Sequence, residues 1–158
     1  MMQFLGSGII LVACVIISNN LTRKAEITLL VTEALVSFVA FVGTSIKTLK
    51  QPLNLIYKEF NNEHLSNVGF LKKINEEDLF SAIKTLETII TKESYNALIF
   101  MEEHIGGIDI ETQCNLCDVT EKSLQNELNK LKQTYKEKKR MYQLLPILCG
   151  LSLIILIV

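Results

Sequence analysis

The chain has 158 residues, enough for one domain, with 49% hydrophobic residues and a mean hydropathy of +0.30. Sixteen basic and 17 acidic residues leave a net charge of −1 and a pI near 6.1. That excludes the strongly basic field of a typical nucleic-acid binder, whose pI is usually above ~9. Of the four cysteines, Cys14 and Cys149 lie in apolar ends and only Cys114 and Cys117 in the polar middle, which is no secreted disulfide framework.

The first segment, MMQFLGSGIILVACVII, carries no charge. At 1.5 Å per residue it spans ~25 Å, short of the ~30 Å hydrocarbon core but within tolerance. A cleaved signal peptide would have a basic residue before the apolar run and a small-residue cleavage site after it. Here Arg23 and Lys24 come afterwards, behind Ser18, Asn19 and Asn20. An uncleaved anchor over residues 1–18 is the expectation.

Residues 27–46, ITLLVTEALVSFVAFVGTSI, carry one charge, Glu33. A third membrane span there would place the polar middle and its basic cluster outside, against the positive-inside rule. It would also put Glu33 in lipid at ~2.5–3.5 kcal/mol. The preferred reading is a core helix of about residues 21–47, with Glu33 at an exposed edge or in an interaction. Pro52 opens a second helix, from Leu53 to about Phe60, in a first turn that tolerates proline. Residues 61–69 read as a loop. Asn75 is the expected cap of the next helix, with acids in its first turn and Leu79, Ile83, Leu86 and Ile90 on one face.

A further helix covers about residues 94–104 and stops at Gly106 and Gly107. Asp109 caps the last helix, which is expected to run from about Ile110 to the C-terminal apolar segment. Its stripe of Cys117, Leu124, Leu128, Leu131, Tyr135, Tyr142 and Leu145 follows a heptad-like seam. Residues 141–158 are again uncharged and long enough, at ~27 Å, for a second anchor. Tyr142 stands where an interfacial aromatic belongs. Lys136, Lys138, Lys139 and Arg140 precede it, and attraction to lipid headgroups accounts for such a cluster. The fold expected is all-α: a cytosolic helical bundle, residues 19–140, between transmembrane helices at 1–18 and 141–158.

Little points to catalysis. Cys114 and Cys117 form a C-x-x-C, which suggests thiol-redox or zinc chemistry. No βαβ pattern accompanies it, and His64 and His104 stand at no metal-ligand spacing. Cys117 lies on the apolar stripe, so a small buried hydrophobe is the simpler role. His104 at a helix end suits capping. There is no nucleophile–base set, phosphate loop or paired carboxylate. No enzyme, cofactor, metal or small-molecule substrate is expected.

Three local patterns carry a resemblance along the whole chain. Residues 45–56 align with a turn E-I-x-Y-x-x-T-P-L-x-E-A through Ile46, Pro52 and Leu53, with the acids, the aromatic and the threonine replaced. Residues 105–113 fit L-G-x-x-D-x-x-x-Q through Gly106, Asp109 and Gln113. Residues 140–151 follow K-M-Y-x-x-L-G-x-L-x-G-L through Met141, Tyr142 and Gly150, with Pro146 in place of a glycine. In this order, between two anchors, they resemble the stage III sporulation protein AB family. The resemblance implies a scaffold in the mother-cell membrane facing the forespore, within the trans-envelope stage III sporulation A complex. Its soluble domain is similar to the cytosolic domain of the type II secretion and type IV pilus platform protein F. The partners it implies are membrane lipids, other members of the complex and a hexameric secretion-type ATPase, in an oligomeric assembly. The alternatives are a helical adaptor of another secretion or pilus system and, in a different class, a membrane thiol-redox or metal protein using Cys114 and Cys117.

Overall fold

A computed structural model describes the backbone of residues 2–49, 51–107 and 109–157. Its side chains are described at Ile16, Asn19 and Asn20, through residues 22–141 except 50 and 108, and at Leu144, Leu148 and Ser152. Seven helices are present among the described residues: α1 (Met2–Leu49), α2 (Leu53–Glu59), α3 (Glu63–Asn67), α4 (Phe70–Glu76), α5 (Leu79–Lys84), α6 (Lys92–His104) and α7 (Ile110–Ile157). They fall into two compact units. One comprises Met1–Ile27 and Leu131–Val158, the other Thr28–Lys130.

The core of the second unit is built on α1. Val31, Ala34, Leu35, Phe38, Val39, Val42 and Ile46 are buried, a set that returns every three or four residues and so lies on one helix face. Glu33, Ser37, Thr44 and Thr48 are exposed on the other. Two hydroxyls there return hydrogen bonds to the helix: Ser37 Oγ donates to the Glu33 carbonyl and Thr48 Oγ1 to the Thr44 carbonyl. Residues 27–46 are thus amphipathic despite their low charge. Thr22–Leu49 is the one stretch among the described residues long and apolar enough to cross a membrane, with 39% of its window buried in the protein. A core helix satisfies the same criterion of length and composition.

Phe38 is the hub of an aromatic cluster. Phe60 and Phe70 meet it edge-on, each at 5.3 Å between centroids, and Tyr57 lies tilted at 5.8 Å. Such pairs add ~0.5–1.5 kcal/mol each beyond area burial. Thr28 Oγ1 donates to the Ile89 carbonyl at 2.6 Å, tying α1 to the segment between α5 and α6.

Local chemistry sets the short helices. Pro52 stands at the cap of α2 with φ −58° and ψ 139°, one position before the first turn, and its carbonyl accepts from Leu55 and Ile56 N–H. Residues 61–69, expected as a loop, contain α3. Asn62 Oδ1 accepts from His64 and Leu65 N–H, a cap followed by Glu63 at the positive helix end. Gly69, at φ +80°, adopts the left-handed conformation that glycine takes without strain and links α3 to α4. Asn75 is no cap: it lies in the last turn of α4. Asp78 caps α5 instead, accepting from Ser81 N–H at 2.7 Å. Leu79, Ile83, Leu86 and Ile90 are all buried, although α5 ends at Lys84 and the last two follow in turns.

The anchor over residues 1–18 and the core helix of about 21–47, read as separate elements, belong to one continuous helix, α1. The last helix is one piece, Ile110–Ile157. Of its stripe, Cys117, Leu124 and Leu128 are buried and Leu131 and Tyr135 half-buried. The side chains of Tyr142 and Leu145 lie outside the described residues.

Candidate functional site

The turn between α6 and α7 and the start of α7 hold three of the sequence-derived positions, Gly106, Asp109 and Gln113. Thr91 caps α6, accepting from Ser94 N–H at 3.2 Å. At the far end Ile105 N–H returns to the Met101 carbonyl. The left-handed residue of the turn is Gly107, at φ +78°, and not Gly106. Both glycines face open space, so conformation rather than crowding demands glycine at 107. Asp109 then starts α7. Its Oδ1 accepts from Thr112 N–H at 2.9 Å and its Oδ2 from Thr112 Oγ1 at 2.6 Å. The Thr112 hydroxyl and then its N–H hold the Asp109 carboxyl below the usual carboxylate range. Gln113 N–H closes the first full turn on the Asp109 carbonyl.

The other positions stand apart from this turn in sequence. Pro52 is exposed and Leu53 half-buried at the start of α2, and Glu33 is exposed on α1. The side chain of Tyr142 and the surroundings of Gly150 lie outside the described residues.

Sequence reasoning missed a groove between α6 and α7. Glu93, Asn96, Ala97 and Phe100 line it from α6, and Val119, Thr120 and Ser123 from α7. Phe100 is 49% exposed and Val119 59%. Thr120 is only 2% exposed, and its hydroxyl is buried without a hydrogen-bond partner. The two helices are joined where Thr91 Oγ1 donates to Glu127 Oε2 at 3.5 Å. Glu127 also pairs with Lys130. Residues 93–121 hold seven acids and no lysine or arginine. Of these acids Glu93 alone lines the groove, and the signal the sequence offered is Val119, an apolar residue off the heptad seam.

Cys114 and Cys117 lie on α7 beside α1. A Cβ on Gly43 would sit 3.0 Å from the Cys117 Cβ, so glycine permits a close helix approach there. The Cys114 thiol faces the Gly43 carbonyl at 3.8 Å. Burial, reinforced by Cys114, pushes the Cys117 thiol up to about 12. Because the thiolate is the nucleophile and metal ligand, this environment disfavours redox or zinc chemistry. Burial also raises the pKa of the nearby Tyr57 phenol. No group of three or more candidate metal ligands occurs among the described residues.

Comparison with protein-family models matches residues 3–158 to stage III sporulation protein AB. No curated protein and no solved structure matches the chain. The matched family is a component of a sporulation complex and not a known enzyme family, and it is the one that the three sequence patterns indicate. Matched over nearly its whole length, this all-helical chain belongs to the stage III sporulation protein AB family.

Proposed function

We propose that the chain is a non-enzymatic membrane scaffold on the mother-cell side of the stage III sporulation A complex. The observation that carries this reading is the family match over residues 3–158, on a sequence whose every charge lies between two uncharged ends. In this reading residues 1–18 and 141–158 cross the membrane and residues 19–140 form a cytosolic helical domain. Ile16, Met141, Leu144 and Leu148 are exposed in those ends or at their edges, and lipid would cover such side chains at no hydration cost. Arg23 and Lys24 follow the first end, and Lys136, Lys138, Lys139 and Arg140 precede the second, so the positive-inside rule favours a cytosolic middle. Anionic lipid headgroups would attract that cluster.

The scaffold docks a hexameric secretion-type ATPase from the cytosol, contacts other members of the complex and works within an oligomeric assembly. Its chemistry is that of surfaces. The turn at residues 106–113 and the α6–α7 groove are the places where partner contact is sought first.

Cysteine accessibility tests the topology. Cys14, Cys114, Cys117 and Cys149 are replaced, and single cysteines are placed at Asn61, Asn129 or Val158. Asn61 is chosen because the side chain of its neighbour Asn62 caps α3. With an impermeant thiol reagent on intact cells, Asn61→Cys and Asn129→Cys stay protected while Val158→Cys reacts. Labelling at 61 and 129 would place the domain outside and end the ATPase reading.

A further inference from the structure

We propose that Lys136, Lys139 and Arg140, on one face of α7, form a binding site for the phosphate of an anionic phospholipid. The inference rests on the scaffold reading, in which residues 141–158 cross the membrane. It deepens that reading by naming the face that holds the lipid.

Attraction of a basic cluster to headgroups needs charge alone, whereas a site needs a face. α7 is one unbroken helix through residues 131–140, so its period sorts the cluster. Lys139 and Arg140 follow Lys136 by three and four residues, which stacks them on one side of the helix. Lys132 continues that side away from the uncharged end. The two residues after Lys136 turn off this ridge by about 100° and 200°, and they are Glu137 and Lys138. All these side chains are exposed. From Lys132 to Arg140 the ridge thus carries cations and no acid.

Two contacts shape the site. Lys139 Nζ lies over the Tyr135 ring, 5.6 Å from its centroid, and Tyr135 is half-buried, so the ring holds one cation at the edge of the ridge. Gln133 Nε2 donates to Glu137 Oε1 at 3.3 Å, one turn farther from the uncharged end, which draws the neighbouring acid away from the ridge. The other acid of the unit formed by Met1–Ile27 and Leu131–Val158 is Glu26, on α1 close in sequence to Arg23 and Lys24.

Depth and charge select the ligand. At 1.5 Å per residue the three cations stand ~2–8 Å from Met141, where the uncharged end begins. The polar layer of one bilayer leaflet is ~5–8 Å deep, so the cations sit at the level of lipid phosphates. A zwitterionic lipid brings its own ammonium group to that level. An anionic phospholipid leaves its phosphate charge for the ridge.

The test reconstitutes the full chain in nanodiscs made from equal amounts of phosphatidylglycerol and phosphatidylcholine with the same acyl chains. The chain is released into mild detergent, and the lipids that stay bound are counted by native mass spectrometry. Phosphatidylglycerol should be retained over phosphatidylcholine about tenfold. The deciding variant, Lys136→Glu/Glu137→Lys, keeps net charge and composition but places an acid on the ridge. It should lose that preference by about fivefold or more. Lys138→Gln, which removes a cation from another face, should keep it. Circular dichroism checks that both variants, altered only at exposed positions, retain the helices. An undiminished preference in the exchanged variant, or an equal loss in Lys138→Gln, shows that charge count suffices and overturns the site. No preference in the unaltered chain overturns it too, and in each of these cases the scaffold reading stands. A chain that fails to enter nanodiscs removes the membrane reading and the site together.

Discussion

Asp109 shows how one side chain sets a helix start. Its carboxylate takes the Thr112 N–H and hydroxyl, one of the donors that every helix N-terminus leaves unpaired. Asp109→Ala should lower the melting temperature of the purified chain and Asp109→Asn should restore most of it, since asparagine caps about as well. The pKa of Asp109 is depressed in the folded state. Its contribution is therefore present above the ordinary carboxylate pKa of ~3.9 and is lost as pH falls from there through the lower folded value. Asp109→Asn should flatten that part of the acid unfolding curve, and an unchanged curve would remove the cap from the pH dependence. Thr120 makes the opposite case. A buried unsatisfied hydroxyl costs ~1–3 kcal/mol, so Thr120→Val should stabilise the chain by about 1 kcal/mol in a denaturant titration. Asp109 was legible as a cap because asparagine and aspartate before a helical run mark its start. Thr120 was not, because nothing in its neighbours says that a mid-helix threonine has lost its partner.

At the scale of elements, the packing of α1 decides most of the fold. Phe38 is completely buried among Tyr57, Phe60 and Phe70, so Phe38→Ala should cost about 3–5 kcal/mol, as large core truncations do. Gly43 works by absence: the Cys117 Cβ already occupies the space that a side chain would need. Gly43→Val should destabilise by about 1–3 kcal/mol through overpacking, read as a lower denaturant midpoint at constant slope. A neutral Gly43→Val would mean that α1 and α7 can part freely there. The sequence made residues 27–46 look uniformly apolar because the half-buried Leu30, Val36, Ala40 and Phe41 count towards hydropathy as fully as the buried face does. The helix places Glu33, Ser37, Thr44 and Thr48 on one side, which gives the stretch a polar edge opposite its buried face. The same limit applies to residues 61–78. Composition marked the region as polar and turn-rich, but Asn62 and Asp78 act as caps and Asn75 does not, a choice made by where Leu65, Ile74 and Leu79 must be buried.

For the whole molecule, the two units divide the charge unevenly. Thr28–Lys130 holds nine lysines against 15 acids, a balance of −6. The unit of Met1–Ile27 and Leu131–Val158 holds seven basic residues against two acids, a balance of +5. The buried core up to Leu128 lies wholly within the first of these. Residues 28–130 expressed alone should therefore keep a cooperative helical fold, seen as a single thermal transition by circular dichroism and dispersed amide signals by NMR. A molten, non-cooperative product would show that the flanking unit completes the core.

The sequence by itself determined the all-helical class, the charge-free ends, the cap at Asp109, the buried faces of residues 79–90 and 117–128, and the family. These are properties of short-range pattern: helical periodicity, capping chemistry and local motif spacing are set by residues within a few turns of each other. Only the tertiary structure decided that α1 presents a polar stripe away from its core, that Gly107 rather than Gly106 carries the positive φ, that Gly43 makes room for Cys117, and that Phe100 and Val119 flank an unpartnered Thr120. Apart from Gly107, each depends on which residues distant in sequence meet, and side-chain volume and hydrogen-bond satisfaction are settled only when they do. Gly107 differs because the residues on either side fix the turn, and either glycine of the pair fits the sequence pattern equally well.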